Sequence, residues 1–172
     1  MRQPTRSEIT ASFVNSSRSR VKSVSFPDDF DRTPWEDLDF YGWIDPRAPQ
    51  RAYLVCESED GFVGVEFRVA GSDPSRARGV MCNLCRSARR NADTNLFTAA
   101  KAGPAGKAGN SVGTYICTDF HCSLYVRNLM SLPDPQPERS LPTETRIENL
   151  RHRLDGFVAR VLGTDEVTNP KS

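Results

Sequence analysis

Cys82-Asn83-Leu84-Cys85 and Cys117-Thr118-Asp119-Phe120-His121-Cys122 are the two stretches whose reading decides the fold. The first is a Cys-x2-Cys knuckle and the second a Cys-x4-Cys pair. Zinc prefers four soft ligands in a tetrahedron, and thiolate sulfur suits it. Two residues between cysteines let a tight turn aim both sulfurs at one point. A second pair at a strand-to-helix junction closes the tetrahedron, and a helix N-terminus there favours thiolate over thiol. Cys82, Cys85, Cys117 and Cys122 are therefore the candidate ligands of a structural Zn²⁺. Three other readings compete with this one: unconnected buried cysteines, a redox Cys-x2-Cys, and His121 ligating in place of Cys122. The redox reading lacks a long helix directly after the knuckle. A closed site of four thiolates leaves no open position for zinc hydrolysis.

Between the pairs, TNLFTAAK (94–101) and SVGTYI (111–116) read as two strands. Their link, Ala102 to Asn110, is rich in Gly, Ala and Pro and reads as a mobile loop. A helix is expected from Thr118 or Asp119 to about Met130. Knuckle, hairpin and helix in that order are the parts of a treble-clef zinc finger. Upstream, residues 51–70 alternate strictly around Asp60-Gly61, so a β-hairpin with one buried face is expected. Cys56 falls in it as a core thiol. Residues 71–79 read as a loop.

The flanks read as helices. Thr5-Arg6-Ser7-Glu8 is a capping box, with Ile9, Phe13 and Val14 on one face of a helix ending near Ser16. Thr33-Pro34-Trp35-Glu36 is a second capping box, predicting a helix that stops at Gly42. Trp35, Phe40, Tyr41 and Trp43 form the densest aromatic cluster and are expected to pack in the core. Residues 131–142 contain four prolines and read as a linker. Ile147, Leu150, Leu154, Phe157 and Val161 then repeat at 3-4-3-4 spacing, an amphipathic helix stopping at Gly163, with Thr145 and Glu148 as a third capping box. The last nine residues read as frayed. The expected class is α+β: a β-hairpin plus a treble-clef zinc finger with flanking N- and C-terminal helices. The expected segments are 1–27, 28–130, 131–142 and 143–172.

Charge is unevenly spread over the 172 residues. Residues 1–75 carry 9 basic and 13 acidic side chains, residues 76–130 carry 8 and 2, and residues 131–172 carry 6 and 7. The excess of +6 in the cysteine-bearing stretch falls to about +4 once four thiolates bind Zn²⁺. Arg86, Arg89 and Arg90 directly follow the knuckle, and Lys101, Lys107 and Arg127 extend the positive set. They either compensate the cluster or meet an acidic partner, protein or RNA. No basic stretch is interleaved with aromatics for base stacking, which weakens the RNA reading. His121 and His152 are the only histidines, and no nucleophile set or phosphate loop is visible, so no enzyme is expected. Asp28-Asp29 and Asp37/Asp39 read as solvated acidic clusters. No run approaches the roughly 18 apolar residues of a membrane span, and no apolar stretch follows Met1, so a cytoplasmic protein is expected.

VMCNLC (80–85), NSVGTYICTDFHCSLYVR (110–127) and TRSEITASFVN (5–15) resemble the FBP (FusB-type) family of bacterial zinc proteins, and most closely its short actinobacterial-type members. The likeness spans roughly residues 5–130, and Gly113-Thr114-Tyr115-Ile116-Cys117 with Asp119 is its most specific part. It implies a C-terminal treble-clef finger with Cys82, Cys85, Cys117 and Cys122 on zinc. It also implies binding to elongation factor G on the ribosome, which in fusidic-acid-resistance proteins helps release the stalled factor. Those proteins carry a full helical N-terminal domain. Here only 50 residues precede the hairpin.

Overall fold

A computed structural model describes residues 1–71, 80–89, 93–132 and 136–165. Most of the loop expected at 71–79 and most of the frayed C-terminus lie outside these residues, as does Arg90. The fold is α+β. Five antiparallel strands, β1 (Phe40–Ile44), β2 (Arg51–Ser58), β3 (Gly61–Val69), β6 (Thr94–Ala100) and β7 (Ser111–Cys117), lie in the order β1-β2-β3-β6-β7. The short strands β4 (Val80–Met81) and β5 (Ala88–Arg89) pair separately across the knuckle. Helices are α1 (Arg6–Ser12), α2 (Arg18–Val21), α3 (Gly103–Lys107), α4 (Cys122–Val126) and α5 (Thr143–Leu162). No helix among the described residues is long and apolar enough to cross a membrane.

The hairpin at 51–70 forms as its alternation requires, turning at Ser58↔Gly61 with Gly61 at φ 126°. Its burial is greater than expected: β2 is buried on both faces from Ala52 to Cys56. The period of two sorts these side chains into two cores. Phe40, Ala52, Leu54, Val65 and Phe67 face Phe97, Ile116 and the apolar stripe of α5. Tyr41, Trp43, Tyr53 and Val55 face Ile9, Phe30, Trp35 and Leu38 from the N-terminal segment. The aromatic cluster is thus core, and strand alternation sends Phe40 to the opposite face from its neighbours.

Three expectations for the middle of the chain need correction. The helix read over 33–42 is a single 3-10 turn (Trp35–Asp37) followed by β1. Pro34 takes the cap position and Thr33 caps nothing with its side chain. Pairing of Phe40–Ile44 with Ala52–Cys56 overrides the local capping signal. Second, the Ala102–Asn110 link is not featureless, because it holds α3 and closes with Lys101 N–H donating to Asn110 O at 2.9 Å. Third, the helix expected to reach Met130 stops at Val126. Asn128 takes φ 57°, Leu129 N–H donates to Leu124 O (2.9 Å) and Asn128 N–H to Tyr125 O (3.2 Å), a Schellman stop.

At the ends, α1 has its capping box, Thr5 and Glu8 each accepting from the other's backbone N–H. It ends at Ser12 rather than near Ser16, because Phe13 leaves the helix to bridge β3, with Val14 N–H donating to Gly64 O at 2.9 Å. α5 runs from Thr143 with Pro142 as its cap, so Thr145 and Glu148 do not form the box. Its stripe is as predicted: Leu150, Leu154, Phe157 and Val161 are buried, and Gly163 at φ 75° ends it.

Candidate metal centre

The two cysteine pairs reach one point by separate routes. Cys82 leaves β4 into a turn in which its own N–H donates to Ser87 O (2.9 Å) and Arg86 N–H donates to its carbonyl (3.0 Å). The turn needs Arg86 at φ 59°, a left-handed position. It is tied to the hairpin by Asn83 N–H donating to Tyr115 O at 2.8 Å. Cys117 is the last residue of β7, paired with Thr94, and Cys122 is the first of α4. Between them Phe120, at φ 57°, donates its N–H to Cys117 O at 2.9 Å. Knuckle, β6–β7 hairpin and α4 follow in the order of a treble clef.

The four sulfurs lie within 4.8 Å of one another and all four cysteines are buried. Cys82 Sγ is 3.6 Å from Cys122 Sγ, and Cys85 Sγ is 3.6 Å from Cys117 Sγ. A tetrahedron with Zn–S bonds of about 2.3 Å has sulfur edges of about 3.8 Å, so the spacing fits. Disulfide-bonded sulfurs would be about 2.0 Å apart. Redox pairing of the knuckle is also disfavoured, because each sulfur's near neighbour comes from the other pair. His121 is not in the cluster; its ring is half-exposed, with Nδ1 4.0 Å from Asp119 Oδ2.

Protonation supports a cation. Burial opposes charge at Cys82, but hydrogen bonds from Cys117, Cys122 and Cys85 outweigh it and hold that thiol well below its ordinary range. Cys117 is lowered chiefly by its hydrogen bond with Cys122. Cys85 is pushed up, first by its hydrogen bond with Cys117, and burial pushes Cys122 far up. Four buried thiols this close together cannot all ionise unaided, and a dication is what allows four thiolates together. The residues thus fit structural zinc, which supplies cross-linking of knuckle, hairpin and helix.

Supporting contacts include residues the sequence did not single out. The buried Ser87 hydroxyl lies 3.0 Å from Cys85 Sγ and 3.4 Å from Cys117 Sγ. Phe120 packs its side chain closely against Gly42 of β1, so Gly42 is a packing site rather than a helix stop. Arg153 of α5 donates to Leu84 O at 3.0 Å and pairs with Glu138, locking the C-terminal helix onto the knuckle. Asp39 is not solvated: its side chain is 2% exposed and accepts from Arg127 (2.6 and 3.0 Å) and Arg151 (2.7 Å). A serine two residues past a cysteine, or an aspartate in an acidic run, carries no signal of this kind by itself.

The cations singled out from sequence do not gather into one patch. Arg86 is exposed beside the knuckle. Lys101 and Lys107 stand beyond Ala100 and Ser111 at the other end of the β6–β7 hairpin, and Ser111 is itself six residues, about 20 Å, from Cys117. Arg127 spends its guanidinium on Asp39 and is 14% exposed. The backbone of Arg89 lies in β5, and Arg90 is outside the described residues.

No curated protein and no solved structure matches the chain in comparison. The family model for the FBP C-terminal treble-clef zinc-finger matches residues 8–161, nearly the whole chain and far beyond the cysteines. With its four-sulfur centre on a treble-clef frame, the chain belongs to the FBP family of zinc-finger proteins.

Proposed function

We propose that Cys82, Cys85, Cys117 and Cys122 ligate one structural Zn²⁺, and that the finger they close binds translation elongation factor G. In this reading the protein is a non-enzymatic, cytoplasmic binding protein that promotes release of the factor from the ribosome. The observation that carries the zinc reading is the convergence of four buried sulfurs at tetrahedral spacing. The partner reading rests on membership of the FBP family. A closed four-thiolate site has no open coordination position for a substrate, which supports binding over catalysis.

Charge supports an acidic partner surface. Exposed Arg86 stands beside the knuckle, and Lys101 and Lys107 stand separately at the far end of the β6–β7 hairpin. Calorimetric titration of the zinc-loaded protein into purified elongation factor G tests the reading. Saturable one-to-one binding is expected, lost in a Cys82→Ser/Cys85→Ser control and weakened by Arg86→Glu. No binding by folded, zinc-loaded protein overturns the partner. Wild-type binding by the zinc-free control overturns the role of the finger.

A further inference from the structure

Beside the sulfur cluster lies a buried charge with no counter-charge among the described residues. Arg146, in the first turn of α5, is 7% exposed. Its Nη1 donates to Asn128 Oδ1 (3.1 Å) and its Nη2 to Thr143 Oγ1 (3.0 Å), both neutral acceptors. Its Nε is buried with no hydrogen-bond partner. Among the described residues no carboxylate pairs with it, whereas Arg127 and Arg151 share Asp39 and Arg153 has Glu138. A guanidinium carries five N–H groups, so two hydrogen bonds leave three unused. Burying such an ion unpaired is strongly unfavourable.

The same arginine lines a pocket of about 260 Å³, with Asn128, Met130, Leu132, Gln136 and Arg139 among the other walls. We propose that this pocket binds a carboxylate, with Arg146 as the cation that anchors it. The chemistry favours a carboxylate over a phosphate. One buried positive charge matches a monoanion, and the guanidinium fork matches its planar oxygens. Cys85 brings the sulfur cluster to the same wall, where its negative charge opposes a dianion; Glu138 is already paired with Arg153, and Arg139 is exposed to solvent. Met130, Leu132 and Val126 offer apolar wall to the hydrocarbon that carries the acid. Arg146 also lies at the positive end of a twenty-residue helix whose cap has no side-chain hydrogen bond. The competing role, counter-ion to the sulfurs, has less support: among the described residues the thiols' hydrogen bonds run to one another, to the Cys85 backbone and to Ser87, and none to Arg146. The carboxylate comes either from an acidic side chain of a protein partner or from a free small acid.

The test is an NMR titration of the full-length, zinc-loaded protein, following the arginine Nε–Hε resonances. Sodium acetate is the probe and sodium chloride at equal ionic strength the control. One arginine signal is expected to shift saturably with acetate and not with chloride, and to be missing in Arg146→Gln. A blocked glutamate tripeptide and its glutamine counterpart form the second arm. Saturation by the glutamate peptide below the acetate concentration assigns a protein-borne carboxylate, and the reverse order assigns a free acid. Asn128→Asp is the folding-independent check. Aspartate tolerates the left-handed backbone at 128 and places a carboxylate on Nη1. It should abolish the acetate response and raise Tm. Equal responses to acetate and chloride overturn the proposal. So does an Asn128→Asp variant with lowered Tm and an intact acetate response. Zinc loss in Arg146→Gln, without any acetate response in the parent, would instead make Arg146 the counter-ion of the sulfurs.

Discussion

Gly42→Ala is a one-methyl perturbation that reaches the metal centre. A Cβ at Gly42 would lie 2.2 Å from Phe120 Cδ1, 2.5 Å from Cγ and 2.9 Å from Cβ. Carbon atoms in contact sit about 3.5–4.0 Å apart, so the ring must retreat by at least about 1.3 Å. It has little room to do so. Phe120 is 4% exposed, packs against Phe97 with ring centroids 5.0 Å apart, and sits in a left-handed turn between Cys117 and Cys122. Overpacking of this kind costs about 1–3 kcal/mol. For a chain of this length, that is a fall in Tm of about 2–12 °C. Thermal melts of zinc-loaded protein read the stability, and competition with a chromophoric chelator reads whether the turn still holds zinc. Phe120→Ala alone should cost about 3–5 kcal/mol. Because the clash then has no ring to meet, the double variant should be more stable than the sum of the two by about 1–2 kcal/mol. A Gly42→Ala variant within about 0.5 kcal/mol of the parent, or strict additivity, would refute the contact's role.

Asp39→Asn should cost about 2–4 kcal/mol in urea melts, since it leaves the half-buried Arg127 without its counter-charge. Arg151→Ala, on the exposed partner, should cost about 0–1 kcal/mol. Burial works against the Asp39 charge, but hydrogen bonds from Arg127 and Arg151 outweigh it and lower its pKa. Its contribution is therefore complete above the unfolded value of about 3.9 and fades as pH falls through the lower folded pKa, so the gap to Asp39→Asn should close below about pH 4. Phe157→Ala removes a ring stacked on Phe67 at 5.6 Å and should cost about 3–5 kcal/mol in the same melts. A strong chelator should collapse amide-exchange protection between Val80 and Met130, because binding energy of the metal is folding energy. Unchanged circular dichroism at low free zinc would contradict structural zinc.

Elements with strong internal periodicity were legible in the chain. The alternation around Asp60-Gly61 and the stripe Leu150, Leu154, Phe157, Val161 needed no knowledge of their partners, because the side-chain period fixes the buried face. The cysteine spacing, with a hairpin between the pairs, likewise pointed to convergence of the four sulfurs. The failures came where a partner distant in sequence decides. Thr33 to Glu36 has every local mark of a helix start, yet the five residues after Asp39 are claimed by β2. Asp39 looks like one more acid in an acidic run until Arg127 and Arg151, from elements 88 and 112 residues away, close on it. Arg146 stands between Thr145 and Ile147 of a helix, and nothing in that neighbourhood announces its burial against Asn128 and Thr143. Asn128 stopped α4 early through a left-handed turn that asparagine permits but does not announce.

X-ray absorption at the zinc edge of the purified protein tests the central claim most directly. Four thiolates from Cys82, Cys85, Cys117 and Cys122 predict one zinc per chain, with a single shell of four sulfurs at about 2.3 Å and no nitrogen. Cys122→Ser should reduce that shell to three sulfurs. A shell of three sulfurs and one nitrogen in the parent protein, which would bring His121 onto the metal, or a zinc content well below one, would contradict it.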